Sequence, residues 1–118
     1  MVFDVNRIDD VIHGRMRLGI VAYLARVGVA EFNELKSLLE TTAGNLSVHL
    51  RKLEDVGYVE VKKSFVARKS LTQARITRTG RAAFLAYLKE VNGLLEGHSA
   101  KQQTEHEPRA TNLRRKRV

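Results

Sequence analysis

The sequence predicts an α+β fold, mainly α with a small β-hairpin, on three observations. Two helical patterns, Phe32 to Leu39 and about residues 42–56, are separated by a short link. Directly after them the apolar period falls from that of a helix to that of a strand, twice in succession. A last helical pattern over residues 79–96 then repeats apolar side chains at the spacing of a helix-packing seam. With 118 residues the chain holds one domain, assigned to residues 1–96, and a basic tail over 97–118 expected to be disordered.

In order, Ile8, Val11 and Ile12 recur at i, i+3 and i+4, which suits a short amphipathic helix within residues 1–13 capped by Asp4 or Asn6. Gly14 marks a break. Arg15 to Val27 reads as a helix with two stripes: Met16, Ile20, Tyr23, Leu24 and Val27 on one, Leu18, Val21, Ala22 and Ala25 on the other. A helix apolar on two sides is buried on two sides, so one stripe is assigned to the core and the other to a partner subunit. Gly28 ends it, and Val29-Ala30-Glu31 leaves room for a short strand or an extended link. In the next helix Phe32, Leu35, Leu38 and Leu39 form the apolar face, and Glu31 and Glu34 lie where the helix dipole favours negative charge. Glu40-Thr41-Thr42 completes a helix-turn-helix arrangement, with Thr41 or Thr42 free to cap the second helix.

That second helix has two unlike faces. Leu46, Leu50 and Leu53 share one, at i, i+4 and i+7. Gly44, Asn45, Val48, Arg51 and Lys52 share the other, with Ser47 and His49 on the flanks and Gly57 closing the helix. One side is made for a core and the other for a polar partner, as a recognition helix requires. Tyr58 to Ser64 and Leu71 to Thr77 then read as strands, joined through Phe65 to Ser70 with Arg68 and Lys69 near the tip. This strand-loop-strand unit follows the recognition helix as a wing does, decorated by Lys62, Lys63, Arg68, Lys69, Arg75 and Arg78. In the last helix, capped by Thr77 or Thr79, Phe84, Leu88, Val91 and Leu95 step by four, three and four, and Tyr87 and Leu94 widen the seam. The economical assignment is a dimer contact; packing back on the domain's own core is the alternative.

Charge adds a direction. The net charge is +8 and the pI near 10.2, which points to a polyanionic partner. Residues 51–81 carry nine Lys and Arg against three Asp and Glu, whereas residues 1–50 carry five against six. The positive charge thus begins within the second helix and continues through the hairpin. It returns at the chain end in Arg114-Arg115-Lys116-Arg117, a segment that serves nonspecific nucleic-acid contact or mere solubility. The absence of cysteine excludes disulfides, thiolate metal sites and cysteine nucleophiles. No apolar run approaches the roughly 18 residues of a membrane span, and the N-terminus lacks the pattern of a secretory signal, so a soluble cytoplasmic protein is expected.

With these residues in place, the chain resembles winged helix-turn-helix transcriptional regulators of the MarR/ArsR kind. The similarity is carried chiefly by Asn45 to Val59, which resembles the family's Ser-x-His-Leu-x-x-Leu pattern followed by an apolar-Gly-aromatic-Val end. Ile12 to Ile20, Phe32 to Lys36 and Ile76 to Ala82 match further segments in the right order, so the resemblance covers about residues 7–96. Two departures matter. Metal-sensing members place cysteines near the second helix of the motif, where Glu34 to Leu38 has none, and their other acidic and His ligands on the last helix are reduced here to Lys89, Glu90, Asn92 and Glu96. His98, Glu105, His106 and Glu107 lack ligand spacing, so neither a metal nor another cofactor is expected. The chain is also compact, with little material for the effector pocket of larger members.

The resulting expectation is a homodimer that binds double-stranded DNA and is not an enzyme. Asn45, Val48, His49 and Lys52, with Gly44 permitting close approach, are assigned to the major groove, and Thr42, Ser47 and Arg51 to phosphates. Lys63, Arg68, Lys69 and Arg75 are assigned to the wing contact over about residues 62–72. Leu18, Val21, Phe84, Tyr87, Leu88, Val91, Leu94 and Leu95 are assigned to the dimer interface. For His49 a hydrogen bond within the domain stays open, as does a bond of Ser47 to its own helix; His13 is read as structural. No phosphate loop, carboxylate pair or nucleophile-base set is visible. The rival functions are a winged-helix module for structured RNA or for protein, and nonspecific architectural DNA binding.

Overall fold

The apolar stripes organise the chain around one core, seen in a computed structural model that describes the backbone of residues 5–105 and the side chains of residues 6–94. A short 3-10 turn, Val5–Arg7, precedes α1 (Arg15–Val27), β1 (Val29–Glu31), α2 (Phe32–Leu39), α3 (Ala43–Asp55), β2 (Val59–Val66), β3 (Lys69–Ile76) and α4 (Arg78–Glu105). Met16, Ile20, Val21 and Leu24 of α1 meet Leu35 and Leu39 of α2, Leu46, Leu50 and Leu53 of α3, and Ala30, Val59 and Ala74 of the sheet. Gly19 lets α1 and α2 approach, since a Cβ there would lie 2.8 Å from a methyl of Leu39. The four helices and the antiparallel sheet make the expected α+β fold.

The expected N-terminal helix does not form. Asp9 takes over its backbone donors: one carboxylate oxygen accepts from Val11 N at 2.8 Å and Ile12 N at 3.2 Å, and its carbonyl accepts from His13 N at 2.8 Å. Such local side-chain bonds compete with helix propagation, and the segment closes as a turn that drops Ile12 into full burial. Asp4, one of the expected caps, lies outside the described residues.

The helix-turn-helix is closed by three polar devices. Glu31 and Glu34 form a reciprocal capping box at the start of α2. Glu40 takes the left-handed conformation (φ 51°), so that Glu40 N and Thr41 N reach the carbonyls of Ser37 and Lys36. The turn does without the frequent glycine by placing Glu40 where glycine usually serves. Thr42 is the cap of α3, its hydroxyl accepting from Asn45 N at 3.1 Å. At the other end Gly57 (φ 82°) allows Gly57 N to bond Glu54 O and Tyr58 N to bond Leu53 O, the two bonds of a Schellman motif.

The hairpin acquires a third strand. The order is β1-β3-β2, all antiparallel, with Ala30 opposite Ala74 and Val61 opposite Ala74 on its other side. The joining loop is tighter than Phe65 to Ser70: those residues pair, as do Val66 and Lys69, leaving only Ala67 and Arg68 in the turn. Both hold positive φ, 52° and 68°, the requirement of the type I′ turn whose twist matches its strands. Side chains alternate across the sheet. Val59, Val61 and Ala74 face the core, so Lys63 with Thr72 and Phe65 with Ser70 continue that face toward the tip. Glu60 with Arg75 and Lys62 with Gln73 share the opposite face.

Thr77 starts α4. Its hydroxyl accepts from Gly80 N at 2.9 Å and donates to Gly57 O, while Thr77 N donates to Tyr58 O at 3.0 Å. The helix continues to Glu105, beyond the expected end near residue 96; residues 106–118 lie outside the described residues. Inside the domain α4 is tied by Arg81 Nη1 to Ala25 O at 2.8 Å, by His13 Nδ1 to the Tyr87 hydroxyl at 3.0 Å and by Arg7 to Glu90 at 3.0 Å. Val21 and Tyr87, expected at a dimer surface, are instead buried within the chain, and Phe84 packs against the same core. For Val21 and Tyr87 that corrects the assignment, whereas Phe84 stays half-buried. Leu88 and Leu94 stay exposed, with Leu18 and Val91 half-buried; the side chain of Leu95 is outside those described.

Gly80 is the tightest point of this junction, since a Cβ there would stand 2.1 Å from the carbonyl oxygen of Tyr58. Gly80→Ala must therefore push α4 off the Schellman turn and is expected to cost about 2 kcal/mol, in the range of overpacking. Thermal unfolding should show a melting temperature lower by roughly 10 °C; an unchanged melting temperature would show that the contact relaxes freely.

Candidate nucleic-acid interface

The face of α3 opposite its three buried leucines is open. Thr42, Gly44, Asn45, Ser47, Val48, Arg51 and Lys52 are all exposed, and Val48 is 53% exposed despite being apolar. An exposed Val in an otherwise polar row is costly to leave in water and useful against a thymine methyl. Asn45 is held: its Nδ2 donates to Thr41 Oγ1 at 2.8 Å, leaving one amide hydrogen and the carbonyl oxygen directed outward. Its own backbone N–H is taken by the Thr42 cap.

The two flanks of α3 have different neighbours. His49 is half-buried, and its Nδ1 lies 3.1 Å from Arg17 Nη1 of α1. Arg17 is always charged and only donates, so Nδ1 accepts and the proton of the neutral ring sits on Nε2. Burial first, then Arg17 and Lys52, lowers the His49 pKa below its ordinary value. His49 therefore makes the hydrogen bond within the domain that its sequence position left open. Arg17 is not among the residues the sequence singles out. Its partner lies 32 positions away, and no local spacing signals the pair.

Ser47 and Arg51 look instead toward the sheet. With Leu50, Glu54, Val61, Lys63 and Thr72 they line an open cleft of about 340 Å³ between α3 and the hairpin. Glu54 Oε2 accepts from Val61 N at 3.3 Å, which fixes the hairpin to the end of α3. Arg51 and Lys63 thus stand on one side of the molecule. Arg75 does not join them: it lies on the outer face of the sheet, directly opposite Glu60. The alternation of the strand decides this, and it corrects the grouping of Arg75 with the wing cations. Arg68 and Lys69 are exposed at the tip. Between Glu60 and Glu90 the chain contains no Asp or Glu, so beyond Glu60 at its base the hairpin presents positive charge alone.

Because the folded domain resists protonation of His49, the sign of its effect on stability follows. The contribution is fully present above the unfolded imidazole value of about 6.5 and is lost as pH falls from there through the depressed folded value. Urea unfolding of the wild type should accordingly weaken between about pH 7 and 5. His49→Gln, which still accepts from Arg17, should flatten that part of the profile. Parallel profiles for the two proteins would assign the acid sensitivity elsewhere.

The same architecture recurs in known proteins. The family described as winged helix DNA-binding domain matches residues 16–95. A protein of Methanocaldococcus jannaschii is 45% identical over 76 residues, covering 64% of this chain and 83% of its own length. The structure of a transcriptional regulator homologue from Pyrococcus horikoshii OT3 superposes with a TM-score of 0.70 at 30% identity, over 75% of this chain and 87% of that one. A protein described as a transcriptional regulator of the MarR family, from Enterococcus faecalis V583, does so at 0.63 and 25% identity, over 78% and 82%. The chain therefore belongs to the winged-helix DNA-binding domain family and is built as the MarR-like transcriptional regulators are.

Proposed function

We propose that this DNA-binding transcription regulator acts as a homodimer that reads a specific duplex sequence. The observation that carries the reading is the division of α3: three buried leucines on one side and, on the other, an exposed row of Gly44, Asn45, Val48, Arg51 and Lys52 continuous with Lys63. In this reading α3 enters the major groove. Asn45 pairs with adenine, Lys52 reaches guanine and Val48 meets a thymine methyl, while Gly44 admits the groove edge closely. Thr42, Ser47 and Arg51 hold phosphates near the helix N-terminus and the cleft. His49, anchored by Arg17, presents its Nε2 hydrogen as a further donor. The wing, about residues 62–72, brings Lys63, Arg68 and Lys69 to the backbone or minor groove. The setting for such work is the cytoplasm, on the nucleoid; among the described residues no helix is long and apolar enough to cross a membrane.

The dimer reading rests on exposed apolar residues of α4. Leu85 is 61%, Leu88 44% and Leu94 39% exposed, on a helix that at 28 residues outruns the domain it covers. At about 1.5 Å per residue α4 is roughly 42 Å long. Two such helices from symmetry-related subunits would bury these leucines and set two recognition helices about one DNA turn apart.

Four measurements test these statements. Light scattering should give the mass of a dimer for the wild type and of a monomer for Leu88→Asp; a monomeric wild type, or a variant of unchanged mass, would sink the α4 interface. If each subunit neutralises about four phosphates, log K should fall with log salt at a slope near −7. Selection from a random duplex pool should return a shared, roughly palindromic motif. Recovery of none would leave architectural binding, and better competition by RNA of the same sequence would redirect the surface to RNA.

A further inference from the structure

The hairpin carries a feature that phosphate binding does not use. Phe65 is 78% exposed, the highest exposure of any large apolar side chain described, and Val66 beside it is 57% exposed. Across the ladder Phe65 faces Ser70, whose small side chain gives the ring no cover. The ring shares a sheet face with Lys63 and Thr72, which border the cleft beside Arg51 of α3. Along the strand it lies two residues, about 6.6 Å, beyond Lys63 toward the tip. Two residues further the tight turn holds Ala67 and Arg68, both with positive φ. Arg68 lies in that turn, Lys69 is paired with Val66 on the other face, and from residue 61 to the end of the hairpin the strands carry no acidic residue.

We propose that Phe65 is an apolar wedge: the wing enters the minor groove with its cations on the flanking phosphates, and the Phe65 ring opens a base step and bends the duplex. This rests on the reading of the wing as a DNA contact and goes beyond it. An exposed aromatic ring on a hairpin tip that carries Lys63, Arg68 and Lys69 fits a partner that is anionic outside and apolar within. Duplex DNA answers that description, since its phosphates carry the charge and its stacked bases and sugar edges supply the apolar surface. A ring cannot be satisfied at a phosphate, so cations that hold the backbone leave it directed at the sugars or the base stack. Side chains inserted between base steps unstack them and kink the duplex by about 20–90°. The cost of unstacking is offset as the bend lets Lys63, Arg68 and Lys69 close on phosphates. The two-residue turn suits the task because it narrows the hairpin to its minimum width at the point of entry.

The experiment uses the full chain and a mixed-sequence duplex of about 30 base pairs with donor and acceptor dyes at its ends. That length is far below the persistence length of about 150 base pairs, so the free duplex is straight. The wild type is expected to raise energy transfer on binding. Phe65→Ser should bind about tenfold more weakly, the loss of one base–aromatic contact, and leave transfer at the level of free DNA at saturation. Phe65→Leu, still an apolar wedge, should retain most of the bend. Arg68→Ala removes one phosphate contact from each subunit and should lower the salt slope of the dimer by about two units while bending persists. Since most of the ring is exposed, thermal melting of the Phe65 variants should stay close to that of the wild type. Binding without bending by the wild type, or an undiminished bend with Phe65→Ser, overturns the wedge and leaves DNA binding in place. Failure of the wild type to bind the duplex even at low salt overturns both.

Discussion

Tyr58 is the residue on which the arrangement of the elements depends, because each of its polar groups is committed to a different part of the chain. Its N–H closes α3 at Leu53 O, its carbonyl accepts from Thr77 N at the start of α4, and its hydroxyl donates to Asp9 Oδ2 at 2.6 Å. The Asp9 bond is the main reason that the phenol pKa is pushed up to about 12, with burial and the nearby negative charge adding to it. Asp9 in turn holds the N-terminal turn that buries Ile12. Recognition helix, last helix and N-terminal segment are therefore referred to one another through a single residue. Gly80 is the steric counterpart of this constraint, as only a residue without a Cβ lets α4 pass the Tyr58 carbonyl.

The consequence for α3 is orientation. Burying Leu46, Leu50 and Leu53 supplies about 1.5–3 kcal/mol per side chain and decides which face looks outward, but an apolar face alone leaves a helix free to slide along its axis. The Thr42 cap, the Schellman turn at Gly57 and the bond from Val61 N to Glu54 remove that freedom. Arg17 adds a lateral stop by holding His49. A surface that reads base edges needs such preorganisation, since each side chain must meet its partner within a fraction of an ångström. The wing is tied to the same helix through Glu54, which refers the position of its cations to α3.

The helices were legible because periodicity and capping agree. Phe32 to Leu39 and the recognition helix show their apolar faces, and Thr42 and Gly57 mark the ends of the latter by their chemistry alone. The N-terminal segment misleads because three apolar residues at helical spacing do not reveal that Asp9 will take the backbone donors. The hairpin was visible as alternation, whereas at Val29-Ala30-Glu31 a short strand and an extended link both stayed open, because three residues carry no usable period. The candidate site divides in the same way: the exposed row on α3 follows from a helical wheel, whereas the partnership of His49 with Arg17 joins residues that no short-range pattern connects.

By itself the sequence determined the class of the fold, the face of α3 that is buried and the sign of charge on the hairpin, because helix period, caps and charge are local properties of the chain. Only the tertiary structure decided which side of the sheet each cation occupies, placing Lys63 beside Arg51 and Arg75 behind, opposite Glu60. It alone decided that Val21 and Tyr87 belong to the chain's own core, leaving Leu85, Leu88 and Leu94 of α4 exposed. It also left Phe65 uncovered opposite Ser70. The reason is common to all three. Strand register and helix docking are settled by which surfaces meet across the whole domain, and a one-residue change in register reverses every side chain of a strand.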